Sequence, residues 1–435
     1  MRTGRALLVT ALTLLALTPA RAIELPSSTV SPTKQEKGET IIPKGTSPGE
    51  GDEQLDSMKL LAPGIGCVQR CLVDQCDDRT IFWTSDNGAH WRNITPPLTN
   101  KSSLDAFFFL DARRGWAVLE QPQKESTRAP TKLRLAIAMT DNAGGTWSET
   151  SLTLLLTNYF SKEEIFTLFD LSVREIAFAD PLHGWLTLSF WMFPHVHGSF
   201  LLITSDGGRT WKDADSFPSP NLGDMILVTP TEGWISGLID PESAQNSLFV
   251  TRNGAKSWQE LSVRPVNTEL WQGGMLLPSG GKLNAQGASC DVSGVPMFSD
   301  SAHGFLQKDC SEGGNFGDQD LMHTTVLFAT VDGGRTWKSD RRIRNFLGSC
   351  NSSTVADSVW LAPIKRNGHL ALLHVEAGAD VDAGADNGSM SRYSLCSTQL
   401  SFISSSQGWM LKDGSIIQFT ADGGRTWKTI WPTAK

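Results

Sequence analysis

Tyrosine is almost absent: the chain has two Tyr in 435 residues, against fifteen Trp. So lopsided a ratio points to one Trp-bearing motif copied many times. Basic charge is not in excess either, because 38 Lys and Arg face 46 Asp and Glu and the formal net charge is -8. General nucleic-acid binding needs a basic face, so no nucleic-acid partner is expected. Beyond the N-terminus no apolar run is long enough to span a bilayer. Neither G-x-S-x-G nor H-E-x-x-H occurs, which removes two common hydrolase signatures. A single core usually stops growing at about 250–300 residues, so the chain is two domains or a closed repeat.

The N-terminus reads as a secretory signal. Arg2 and Arg5 precede the apolar stretch ALLVTALTLLALTP at 6–19, and Ala20-Arg21-Ala22 offers an A-x-A cleavage site. No Cys follows that site, so a lipoprotein anchor is not expected. Residues 1–22 are therefore read as signal peptide, and 23–57, rich in Pro, Ser, Gly, Lys and Glu, as a disordered linker. Residues 58–435 form the folded part, secreted or periplasmic, with no transmembrane segment after cleavage. The mature chain keeps Cys67, Cys71, Cys76, Cys290, Cys310, Cys350 and Cys396. Export permits disulfides. Cys290 with Cys310 and Cys350 with Cys396 are candidate pairs, and the odd count leaves room for a free Cys in the 67–76 cluster; sequence does not fix connectivity. The C-x3-C-x4-C cluster has no further ligand close by in sequence, so no metal and no cofactor is expected.

One octet recurs. It reads Thr-x-Asp-x-Gly-x-x-Trp at Thr84–Trp91, Thr204–Trp211, Thr330–Trp337 and Thr420–Trp427. Asn142 takes the Asp place in Thr140–Trp147, and Asn253 takes it in Thr251–Trp258. The side chains of Asp86, Asn142, Asp206, Asn253, Asp332 and Asp422 can accept backbone N–H bonds within a hairpin turn. The Gly allows positive φ. Trp91, Trp147, Trp211, Trp258, Trp337 and Trp427 then fold back on the hairpin and bury a large apolar area. Six carboxamide or carboxylate turns on six repeats cannot converge on one substrate, so they are read as structural.

A β-type run precedes each octet, for example LAIAMT and FLLIT. A second element lies upstream, marked by Gly115-Trp116, Gly184-Trp185, Gly233-Trp234, Gly304-Phe305 and Gly408-Trp409. Asp111, Asp180 and Asp300 sit five residues before its aromatic and read as turn residues. LLAPGIGCV is the equivalent in the first unit, and Ser358-Val359-Trp360 in a unit whose octet is missing. Seven units of about four short strands predict an all-β fold, a seven-bladed β-propeller with Asp-box turns.

The octets resemble the Asp box of sialidases, sortilin-type receptors and related β-propellers. Together with the Gly-Trp strands they look closest to the photosystem II assembly and stability factor family, over roughly residues 58–432. That resemblance implies a propeller, and for its best-known members a role in assembling membrane complexes through an Arg-rich protein-binding patch. No such patch is matched residue by residue here. Sialidases resemble one another in an Arg triad, a Tyr nucleophile with a Glu partner and an F/Y-R-I-P stretch; the stretch is absent here, and only Tyr159 and Tyr393 could serve as nucleophile.

If the Gly-Trp element joins strands one and two and the octet joins strands three and four, both turns share one face. The long insertions then lie on the opposite face, including 158–170, FWMFPHVHG and 264–290. Loops carry function more often than scaffolds do. Phe190, Trp191 and Phe193, with Trp271, are the candidate binding residues there. His195 and His197 read as a hairpin tip rather than a metal pair. Arg341, Arg342 and Arg344 read as a solvated loop, and Asp380-x-Asp382-x-Gly384-x-Asp386 lacks the closing Glu of a calcium loop. The expected function is that of an exported, monomeric, non-catalytic propeller binding a protein partner in the cell envelope or exterior. The alternatives are a sialidase-like or xyloglucanase-like glycosidase and a receptor-like, carbohydrate-binding propeller.

Overall fold

The computed structural model describes residues 33–34, 53–72, 75–98, 102–121, 132–193, 196–214, 221–238, 246–261, 288–292, 294–312, 323–355, 358–365, 373–376, 381–382, 399–412 and 414–431. Along the chain they form six sheets, antiparallel except for one short parallel pair of 343–344 with 381–382, here numbered blades I to VI. Blade I spans Glu53 to Asn93, blade II Ser103 to Leu155, blade III Leu168 to Asp213 and blade IV Asn221 to Glu260. Blade V spans Ala288 to Asp382 and blade VI Gln399 to Trp431. Blades I, III, IV and VI each have four strands in sequence order, so each is an up-and-down meander. Blade II has the same meander, with Thr33–Lys34 added at its outer edge.

Strand periodicity builds the stack. In the third strand of blade II, Leu133, Leu135 and Ile137 pack toward blade III, while Ala136 and Ala138 pack toward blade I. From Leu135 to Ala138 both faces are buried, so this stretch is apolar throughout and the two-residue period appears as a change of size. The ring closes where blade VI meets blade I. Trp409, Leu411, Ile417 and Trp431 share one core with Leu55, Leu60, Val68, Phe82 and Trp91. The Trp91 indole N–H donates to the Ile430 carbonyl at 3.2 Å, and the Leu60 N–H donates to Ser401 Oγ at 2.9 Å. The closed ring of meanders is a β-propeller. The first strands touch between blades II and III, III and IV, and VI and I, as the innermost strands of a propeller do.

Six blades replace the expected seven. The units around Phe305 and Trp360 belong to one eight-stranded blade. Lys338–Val355 is a single strand of 18 residues, pairing with His323–Thr330 in its first half and Ser358–Lys365 in its second. No proline interrupts it, and the unit around Trp360 has no octet to end its hairpin. The first strand of blade I starts at Glu53, ahead of the boundary read at 58. Buried Leu55 and Met58 flank Asp56 and Ser57 there, and those polar residues gave the segment the composition of a linker.

Candidate functional site

The two ends of the propeller differ. At one end every octet turn is built alike around its buried Thr. The Thr84, Thr140, Thr204, Thr251, Thr330 and Thr420 hydroxyls accept the N–H four residues on, at 2.8–3.0 Å, and donate to the Asp or Asn side chain. That side chain accepts a further N–H from His90, Thr146, Thr210, Ser257, Thr336 or Thr426. Each octet also donates one backbone N–H to the turn between strands one and two. Asn87 bonds to Gly64, Ala143 to Arg113, Gly207 to Leu182, Gly254 to Thr231, Gly333 to Ala302 and Gly423 to Ser406, all at 2.8–3.0 Å. Both sets of turns therefore occupy one face. Asp111, Asp180 and Asp300 accept two backbone N–H groups each in their own turns. The bonds from Thr426 hold Asp422 down to about 2, and the N–H groups of His303 and Ala302 do the same for Asp300, also to about 2.

The opposite face carries the described insertions, the segment 156–167 and the hairpin of Gly184–Met192 with Val196–Thr204. A short helix at Lys162–Thr167 starts from a capping box between Ser161 and Glu164. It is tied to the hairpin by the Phe193 N–H, which donates to the Thr167 carbonyl at 2.8 Å. Phe160, Phe190 and Phe200 form an aromatic cluster, with Phe160 edge-on to Phe190 at 4.9 Å and Phe190 at 5.2 Å from Phe200. Tyr159 joins it at 4.6 Å from Phe200, and its hydroxyl donates to Asp213 at 2.7 Å. Gly198 lies directly across the ladder from Phe190, and a Cβ there would stand 2.1 Å from the ring. The glycine makes the space that the Phe190 ring fills.

The sequence candidates thus separate. Phe190 is half-buried in the aromatic cluster. Trp191 is half-buried and stacked on His197, with 5.8 Å between ring centroids. Phe193 projects from the tip with 69% of its surface exposed. Trp271 and His195 lie outside the described residues, as do the side chains of Arg341, Arg342 and Arg344 and most of the 380–386 run. Strand register sets Cys290 opposite Cys310. Cys71 is disulfide-bonded, and Cys67 is a free thiol pushed up to about 12 by complete burial. Among the described residues no group of three or more His, Cys, Asp or Glu is placed to hold a metal, and no helix is long and apolar enough to cross a membrane.

A third constellation was missed by sequence reasoning. The innermost strand of blades I to IV is bulged, and the ladder skips Asp56, Asp105, Arg174 and the pair Gly223-Asp224 in turn. Asp56, Asp105, Arg174 and Gly223 each stand ten residues before a glycine at the start of the second strand, Gly66, Gly115, Gly184 and Gly233. That spacing was legible, but a bulge residue carries no apolar periodicity to mark it. Around the bulges gather Glu120, Asp170 and Glu175. Desolvation, then the charge of Asp105, pushes Glu120 up to about 7. Its carboxyl lies against that of Asp105, which desolvation raises to about 6. Desolvation also pushes Glu175 up to about 7. Arg79 reaches this group from blade I, donating to the Asp105 carbonyl at 2.9 Å and pairing with Asp56 at 3.7 Å.

No family model and no curated protein matches the chain. The chain is similar to several solved structures. YCF48 bound to a D1 peptide is 16% identical over 77% of this chain and 83% of that one, with a TM-score of 0.39. YCF48 from Cyanidioschyzon merolae is 16% identical over 78% and 88%, with a TM-score of 0.38. The Hadza microbial sialidase Hz136 is 13% identical over 85% and 66%, with a TM-score of 0.43.

Proposed function

We propose that the chain is an exported, non-catalytic propeller of the Asp-box kind, similar to photosystem II assembly factor-like proteins, that binds a protein partner through its insertion face. The carrying observation is Phe193. It is a large apolar side chain held in the open by a hairpin whose base is locked by Phe160, Phe190 and Phe200. A rigid aromatic anchor on a firm base loses little conformational entropy on association and is typical of interface hot spots. In this reading Phe190 supports the hairpin, while Phe193 and the neighbouring Trp191 meet the partner. The turn face is accounted for by folding, because its side chains bond to their own backbone. Photo-crosslinking from position 193, compared with position 426 on the turn face, tests the reading. Capture of one discrete protein from position 193 alone supports it; equal capture from both positions, or none from 193, sinks it.

The glycosidase reading finds one observation in its favour, the Asp105–Glu120 pair, since a carboxyl kept protonated near neutrality is suited to general acid work. The pair is disfavoured by its own closeness. Two glycosidase carboxyls stand about 5 Å or more apart to flank a glycosidic bond, whereas these two touch. Sialosides, xyloglucan and aryl glycosides are expected to remain intact with the purified protein. Turnover abolished by Glu120→Gln would reverse the choice.

A further inference from the structure

The innermost strands of a propeller have open edges, and their free N–H groups need acceptors. Neighbouring blades supply them here. Met58 N–H donates to Gln399 at 3.2 Å, Leu60 N–H to Ser401 at 2.9 Å and Phe402 N–H to Ser353 at 3.0 Å. These acceptors are neutral at every pH. Between blades III and IV one acceptor is again a hydroxyl, Ser199 Oγ, which takes the Leu222 N–H at 3.1 Å, but the other is a carboxylate: Met225 N–H donates to Glu175 Oε2 at 3.1 Å. Arg174 beside it donates to the Gly223 carbonyl at 3.3 Å and faces Asp224 at 3.9 Å. Between blades I, II and III, Glu120 and Asp105 of blade II meet Asp170 of blade III and Asp56 and Arg79 of blade I. Arg79 offsets Asp56 and Asp105 there.

We propose that this collar of bulges is a proton-operated latch between blades I to IV: proton uptake by Glu120 and Glu175 tightens the inner strands, and proton release loosens them. Ionising Glu120 places another negative charge beside Asp105 and Asp170, with Arg79 offsetting Asp105. Ionising Glu175 places a charge beside Asp224, offset by Arg174. Half-buried like charges repel strongly because little water screens them. Neutralising either glutamate removes that repulsion and leaves the Met225 hydrogen bond in place, since a protonated carboxyl still accepts from that N–H. The bulges are where such a change is felt, because the ladder there already lacks its regular bonds.

The sign follows from linkage. Both glutamates have folded values raised to about 7, above the ordinary value of about 4.3. Their contribution to folding is fully present below that ordinary value and is lost as pH rises through about 7. The test measures the melting midpoint of the full chain from pH 5 to 8, with protection factors for the Met225 amide. The wild type is expected to lose midpoint and Met225 protection as pH rises. The Glu120→Gln/Glu175→Gln variant is expected to melt higher than wild type at pH 8 and to lose most of the slope. A variant with the full slope, or a flat wild-type profile, overturns the latch. Should the variant not fold, infrared titration of the wild type decides. Protonated-carboxyl signal persisting to about pH 7 supports the proposal, and its disappearance by pH 5 rejects it.

Discussion

The carboxylates of the turn face and those of the inner collar differ in what solvates them. Asp300 is exposed and Asp422 half-buried, yet backbone and hydroxyl donors converge on them and hold them at about 2. Glu120 and Glu175 lie inside the ring with few donors, and desolvation lifts them to about 7. The same chemical group is thus a fastener at one end of the blade and a proton acceptor at the other. What separates them is the supply of N–H and O–H donors, not burial alone. The turn Asp stabilise the fold above their ordinary value and are lost as pH falls toward about 2; the collar acts in the opposite sense. Stability should peak between these arms, near the ordinary carboxylate range.

Four substitutions would break or sharpen this comparison. The largest effect belongs to the packing that both ends depend on. Trp116 stacks on Phe178 of the next blade at 3.7 Å, and its indole N–H donates to the Gly207 carbonyl at 2.9 Å. Trp116→Ala should lower stability by about 3–5 kcal/mol at any pH, read by denaturant melts; a pH-dependent loss would mean that its blade contact is coupled to the collar. Next is Glu175→Ala, which strands the Met225 N–H and should remove roughly 1–3 kcal/mol at pH 5. The loss should shrink at pH 8, where the wild type carries the unfavourable charge. An equal loss at both pH values would place Glu175 with the turn carboxylates instead.

Asp206→Ala deletes an acceptor for Thr204 Oγ1, Thr210 N and Thr210 Oγ1 and should remove about 1 kcal/mol at pH 7. That difference should fade in strong acid, where the wild-type carboxylate is itself protonated. The smallest effect is a gain. Ala143 sits at φ 57° in a turn position that four other octets give to glycine and one to Asn87, so Ala143→Gly should add up to about 1 kcal/mol by relieving the left-handed strain. A lower melting midpoint would show that the lost methyl contact with its surroundings outweighs that relief.

How much of this was legible depends on whether a feature leaves a local mark. The octets do, because a turn needs Thr, Asp or Asn and residues tolerant of positive φ at set places whatever surrounds it. The sharing of one face by the octets and the Gly-Trp turns was legible too, since alternating connections of a meander lie at the same end. The bonds that tie the two turns together were not, because backbone groups are the same in every residue. The blade number failed at 338–355, where nothing in the segment distinguishes one long strand from two short ones joined by a turn. Among the hairpin aromatics, composition could not separate Phe190 from Phe193: the alternation of a strand gives each a side, but only the position of Phe160 and the gap at Gly198 say which side is filled.

By itself the sequence determined the repeat, the all-β class and the chemistry of the turns, because these depend on residues within one hairpin. The tertiary structure alone decided the blade count, the inward or outward fate of each insertion aromatic and the opposite titration of the two carboxylate groups. Those depend on which strands close the ring and on how much water and how many donors are left around a side chain once they have done so.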